Sequence, residues 1–141
     1  MQVQELRIGS AVMCECRWEY KPHTVKSIWY NDEEKLYYVE LDNGFQCNVG
    51  GISPITITDE LLEKNGFELT DKPIVKTDLR IQQHFVYRKT IDNVIIDVDH
   101  VQVFVSQTGT ANIVNIRDLK HIHQLQNSYY LLTGKELEIT L

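Results

Sequence analysis

Cys14 and Cys16 stand two apart in the first third of the chain, His23 follows shortly after, and Cys47 comes later. Thiols and an imidazole are the ligands of a structural zinc, but that metal needs four of them converging at tetrahedral geometry. The usual second spaced pair is missing, so the three cysteines are expected to be free and to pack as small hydrophobes. Asp97, Asp99 and His100 close one extended stretch and open the next. Two carboxylates on one strand face can hold a divalent cation or act as acid and base. The plainer expectation is a solvated turn. His121 and His123 are two apart in a helical stretch, so their rings are expected to diverge by about 200° and not to share a metal. His123 and Asn127, four apart, can act together.

Three further sets could form contacts rather than do chemistry. Trp18, Tyr20, Trp29, Tyr30, Tyr37 and Tyr38 concentrate aromatics in the first half. Such residues serve either as core or as a groove for a peptide or cationic group, and the acidic surroundings suit a basic partner. Arg80, Arg88, Lys89 and Arg117 supply charge in the second half that could hold the phosphates of a nucleotide signal. No glycine-rich phosphate loop accompanies them. In the last helical stretch, Lys120, Gln124, Asn127 and Leu131 form a stripe of amides with an apolar tip, opposite Ile122, Leu125, Tyr129 and Leu132. An outer face of that kind suits a contact surface, for a second copy of the chain or for another protein.

These residues sit in a chain of 141 residues, 43% hydrophobic and 24% charged, a composition that makes disorder unexpected. The net charge of −6 argues against general binding to DNA, which needs a basic surface. Residues 1–67 hold six Lys/Arg against eleven Asp/Glu and residues 68–141 hold eight against nine, so the acid is concentrated early. No charged lead followed by an apolar core marks a signal peptide, and no apolar run approaches the ~20 residues of a membrane span. With three cysteines and no disulfide framework, the expected location is the cytoplasm.

The elements that must position the candidates are mostly strands. Residues from Ala11 to Tyr20 alternate, with Val12, Cys14, Cys16, Trp18 and Tyr20 on one face, which predicts one long strand interrupted by Pro22. His23 to Tyr30, Leu36 to Leu41, Phe45 to Val49 and Ile52 to Ile57 follow as strands, and Asp42-Asn43-Gly44 predicts a type I′ hairpin turn. Pro54 confines the last of these to an edge or a bulge. Thr58 caps a short helix, Asp59 to Lys64, stopped by Asn65-Gly66.

The second half reads as a meander: Phe67–Leu69, Ile74–Lys76, Leu79–Arg88, Ile91–Val98, Val101–Ser106 and Ala111–Ile116, with Lys89-Thr90 as one turn. A helix follows, capped by Asp118 and ended at Gly134, and Leu137, Ile139 and Leu141 would add a closing strand. The expected fold is α+β. It consists of a small SH3-like β-barrel or curled sheet (1–57), a linker helix (58–67), and an antiparallel sheet with one C-terminal helix (68–141).

Three blocks carry a resemblance. Glu5-Leu6-Arg7-Ile8-Gly9, the stretch from Ile52 to Phe67, and the stretch from His121 through His123-Gln124-Leu125-Gln126-Asn127 to Leu137 resemble a family of small uncharacterised proteins of Bacteroidota chromosomes, prophages and phages. Members of that family carry "ELRIGNWV", "PIxLTEExLxxxGF" and "VHQLQNLYFALTGEEL". This chain departs from them at Ser10-Ala11, at Ile122 and at Ser128. The resemblance implies a phage or mobile-element setting inside a host cell and supplies no activity, cofactor or catalytic residue. No nucleophile–base pattern, phosphate loop or metalloprotease motif is present. The expectation is therefore a non-catalytic binding or adaptor protein acting by protein contact, without cofactor. The alternative is a protein that binds or sequesters a nucleotide signal of host defence.

Overall fold

A computed structural model describes residues 3–16, 19–70, 86–99 and 102–141. Trp18, Arg80 and His100 lie outside them, as do the strands expected at Ile74–Lys76 and over most of Leu79–Arg88. The chain is α+β and forms two compact units, Met1–Thr56 with His121–Gln126 and Leu141, and Ile57–Lys120 with Asn127–Thr140. Among the described residues no helix is long and apolar enough to cross a membrane.

The first unit is a five-stranded antiparallel sheet: β1 (Ala11–Cys16), β2 (Glu19–Asn31), β3 (Leu36–Leu41), β4 (Gln46–Asn48) and β5 (Ile52–Pro54), in the order β4-β3-β2-β1-β5. No ladder joins β4 to β5 among the described residues, so the sheet is curled and open and the barrel is not closed. The curl is built into β2. Its first part pairs with β1, its second with β3, and the register shifts between Val25 and Ser27 at the changeover. A bulge of this kind adds local twist and bend. Val12, Cys14, Cys16, Val25, Val39, Leu41 and Ile52 fill the concave side.

The long strand expected from Ala11 to Tyr20 is instead two. The chain reverses so that Cys16 opposes Glu19 and Glu15 opposes Tyr20, which leaves Tyr20 62% exposed. That register puts Tyr20 on the face of Glu15, away from Cys14 and Cys16, so the structural alternation does not run on past Cys16, and the apolar spacing alone carried no mark of the change. Pro22 lies within β2, opposite Met13, in the part paired on one side only. There its missing N–H costs no ladder bond if it faces the open edge. Pro54 is on the edge strand β5, as expected.

The hairpin between β3 and β4 sits where Asn43-Gly44 predicts it, with a different turn. Gly44 N–H donates to the Leu41 carbonyl at 2.9 Å, Gly44 has φ +79°, and Leu41 N–H donates to the Phe45 carbonyl at 2.9 Å. Only Gly44 in this turn takes positive φ, which is a type I turn followed by a glycine bulge, not type I′. Asn43 contributes through its side chain, accepting from Phe45 N–H at 2.9 Å. A Cβ on Gly44 would meet nothing within 4 Å, so substitution is opposed by backbone strain alone. Gly44→Val should cost about 1–2 kcal/mol in urea unfolding. A variant that unfolds like the parent would remove this turn from the account.

The second unit opens with α1 (Asp59–Lys64). Thr58 Oγ1 accepts from Leu61 N–H at 3.2 Å, and the C-terminus closes with Phe67 N–H on Leu62 and Gly66 N–H on Glu63. These are the two bonds of a Schellman motif, with Gly66 at φ +74°. The sheet is a sequential meander: β6 (Glu68–Thr70), β7 (Val86–Ile91), β8 (Val94–Val98), β9 (Gln102–Gln107) and β10 (Ile113–Arg117). Val103 and Val105 are buried while Gln102, Phe104 and Ser106 are partly wet, as their alternation predicts. The β7–β8 turn is at Asp92-Asn93, not at Lys89-Thr90, which lie inside β7. Asp92 takes φ +53°, a conformation Asp tolerates better than β-branched Thr.

The second helix, α2, spans Ile122–Thr133. Gly134 follows at φ +68°, as expected, but Asp118 is not its cap. Asp118 itself takes φ +58° in the approach, and His121 N–H is satisfied by the Gln124 side chain at 3.0 Å. That is the returning half of a capping box, made by an amide three residues into the segment. Leu119, Ile122, Leu125 and Tyr129 are buried, in accord with the apolar stripe. His123, Gln126 and Ser128 are buried too. The closing strand does not form at Leu137–Leu141. Thr140 is instead held by the Asn65 side chain, which donates to its carbonyl at 3.0 Å and accepts from its N–H at 2.7 Å. An amide side chain there takes the place of a strand neighbour.

Candidate functional site

The thiols do not make a reactive centre. Cys14 and Cys16 share the concave face of β1, and Cys16 Sγ–H donates to Cys14 Sγ at 3.0 Å. Burial, then the contact with Cys16, pushes the Cys14 thiol far up, and burial raises Cys47 as well. The thiolate needed for a nucleophile or a metal ligand is disfavoured. Among the described residues no group of three or more His, Cys, Asp or Glu is arranged to hold a metal.

Asp97 is taken up by Arg88, directly across the β7–β8 ladder. The guanidinium Nε and Nη2 each donate to one carboxylate oxygen at 2.6 Å. Asp99 accepts from Gln102 N–H at 2.8 Å and ends the strand. Among the basic residues of the sheet, Lys89 is likewise in internal use. Lys89 donates to the Asn65 carbonyl at 2.7 Å and lies 5.6 Å from the Phe67 ring centroid. Arg117 is exposed on β10, separated from β7 by β9 and β8, so it does not converge with Arg88. Arg88→Met should cost about 1–3 kcal/mol, because it strands a mostly buried carboxylate. Adding Asp97→Asn should recover part of that in urea unfolding. If Arg88→Met is silent, the pair is solvated.

His121 precedes α2 and bridges Thr56 in an extended conformation. The divergence expected for two helical histidines therefore does not hold, and the rings of His121 and His123 stack at 5.6 Å between centroids. In the outer stripe, Gln124 is half-buried and engaged at the helix start, Asn127 is half-buried, Lys120 is exposed, and Leu131 is 70% exposed.

The aromatics of the first unit come together most fully. In the β2–β3 register Trp29 opposes Tyr38 and Tyr30 opposes Tyr37. Directly opposed residues share a face and neighbours along a strand alternate, so the two pairs lie on opposite faces of one hairpin. Trp29 and Tyr38 stack at 5.8 Å and 24°, whereas Tyr30 and Tyr37 meet at 5.0 Å and 56°. Each is a cross-strand pair, and they do not enclose a common cage.

Tyr30 and Tyr37 continue the face of Ile28 and Val39, where the core ends, and remain 43% and 44% exposed. On the other face, Tyr38 donates its hydroxyl to Glu34, a contact that holds the phenol protonated above its usual range. Glu40 accepts from Gln46 there at 3.4 Å. No family model, curated protein or solved structure matches this chain. The hairpin must therefore be read from its own chemistry.

Sequence reasoning missed one arrangement. A cleft of about 470 Å³ is lined by Cys16, Glu19, Lys21, His23, Phe45 and Gln46 among others. At its side His23 Nδ1 bonds Asp42 Oδ1 at 2.8 Å, which orients the imidazole. No motif signals a pair nineteen residues apart; only the hairpin register joins them.

Proposed function

We propose that this protein is a non-catalytic binding protein that acts by protein contact through the β2–β3 hairpin. The observation that carries this reading is the pair of aromatic side chains left in solvent where the core ends. Tyr30 and Tyr37, directly opposed on one face of the ladder, are 43% and 44% exposed, and Leu36, on the other face, is 46% exposed. Tyr and Trp give much contact area for little lost side-chain freedom and dominate the energetics of protein interfaces. Among the described residues, buried thiols, an Asp97 paired with Arg88 and scattered bases offer no comparable centre for catalysis or nucleotide binding. The phage and mobile-element setting that the sequence resemblance implies supports a contact in the cytoplasm of a host cell, with a host or phage protein as partner.

The test compares the tagged parent with a Tyr30→Ser/Tyr37→Ser variant, each expressed in a host carrying the element. Both positions are exposed, so the fold should survive with a change on the order of 1 kcal/mol. The expected result is one protein whose recovery falls about tenfold in the variant. It should also rebind the parent once both are purified. Equal recovery of the same proteins by parent and variant would sink the reading.

A further inference from the structure

The outer face of the hairpin differs in chemistry from its Tyr30–Tyr37 face. Trp29 and Tyr38 stack there, Ser27 and Glu40 are the next opposed pair, and Glu34 is bonded to the Tyr38 hydroxyl. Carboxylates therefore flank an aromatic pair along one ladder. The field is acidic beyond these two groups. Residues 26–46 contain five acids, Asp32, Glu33, Glu34, Glu40 and Asp42, against two bases, Lys26 and Lys35. Lys35 offsets little of this, as its ammonium lies 4.0 Å from Asp32 in an exposed pair.

We infer that this face binds an arginine-bearing segment of a basic protein partner, with a guanidinium lying on Trp29 and Tyr38 and bonded to Glu40 or Glu34. The inference rests on the protein-contact reading above and names the chemistry of the partner. Charge complementarity chooses the occupant, since a cation is drawn to both the ring faces and the Glu34 and Glu40 carboxylates, while an anion meets repulsion from them. Arginine is favoured over lysine for a geometric reason. Its planar guanidinium stacks on a ring and still presents in-plane N–H donors to a carboxylate, whereas a lysine ammonium is a strongly hydrated point charge. Glu34 keeps a second carboxylate oxygen for such a donor while accepting from Tyr38. A second copy of this chain is a poor occupant, because the acidic ladder would face its own charge.

The probes are two octapeptides of alternating Arg-Ser and Lys-Ser, titrated into the full chain at about 0.15 M salt, where weak surface attraction is screened. Amide and indole shifts report the site, and calorimetry reports affinity. The Arg peptide should bind about tenfold more tightly than the Lys peptide, with shifts centred on Trp29, Tyr38 and Glu40. Trp29→Leu should weaken it about tenfold. Glu40→Gln, an exchange that leaves the ladder intact, should weaken it about threefold to tenfold and reduce its salt dependence.

Equal affinity for the two peptides, shifts centred elsewhere, or an unchanged affinity in both Glu40→Gln and Glu34→Gln would each overturn the inference. Should Trp29→Leu lose the parent's circular dichroism, Glu40→Gln and Glu34→Gln carry the test. The two readings fail separately. A partner lost in Tyr30→Ser/Tyr37→Ser with no arginine preference refutes the guanidinium site alone. An arginine-selective Trp29 site with no hairpin-dependent partner refutes the proposed function.

Discussion

Replacing Gln126 by leucine should lower the unfolding free energy by about 2–6 kcal/mol, although leucine suits a buried helical position. The Gln126 amide works as a backbone partner. Its Oε1 accepts from Ala11 N–H at 3.0 Å and its Nε2 donates to the Gly9 carbonyl at 3.2 Å, where β1 begins. The side chain is almost wholly buried, so water cannot replace it. Each main-chain group left without a partner costs roughly 1–3 kcal/mol, and leucine strands two of them. Gln126→Glu should fall between, since a carboxylate still accepts from Ala11 but faces the Gly9 carbonyl with like polarity. Urea unfolding measures all three. A leucine variant as stable as the parent would show that these bonds contribute nothing, and that α2 is held by its apolar residues alone.

His123, three residues earlier, should respond in the opposite sense. It is 1% exposed, and neither ring nitrogen has a hydrogen-bond partner among the described residues. Burial first, then the neighbouring His121, hold its imidazole below the usual histidine range, and the carboxylate of Glu5 works against them. The folded state therefore resists the proton that the unfolded chain accepts as pH falls through about 6.5.

Below that point the unfolded state binds more protons, and stability drops by up to about 1.4 kcal/mol per pH unit. The loss ends once the folded-state pKa has been passed. His123→Leu should abolish this contribution. Near neutral pH it should leave stability within about 1 kcal/mol of the parent or raise it, because no bond is lost. Unfolding curves between about pH 7 and 5, above the ordinary range of carboxylates, provide the check. Parallel pH dependences in parent and variant would show that the proton is taken up elsewhere.

These two residues show where sequence reading stops. Leu119, Ile122, Leu125 and Tyr129 announce a buried helical stripe by spacing alone, and they are buried. Nothing in that spacing distinguishes a buried glutamine that replaces a strand from a solvated one, because its partners are over a hundred residues away. Local signals likewise located the Thr58 cap, the Gly66 and Gly134 helix ends, the place of the Gly44 turn and the strand character of Val94–Val98 and Gln102–Gln107, since each depends on a few adjacent residues. Long-range pairing decided the rest.

Alternation from Ala11 to Tyr20 carried no mark of a reversal, Asp118 could not be told from a cap, and the C-terminal tail looked like a strand until Asn65 was found holding it. The same division holds for the candidate site. Composition concentrated the aromatics in the first half and predicted an acidic setting for a basic partner. Only the β2–β3 register separated Trp29 and Tyr38 from Tyr30 and Tyr37 and brought Glu34 and Glu40 to one pair. Side-chain identity sets what a residue can do, and cross-strand register sets which residues do it together, because opposed positions share a face and adjacent ones do not.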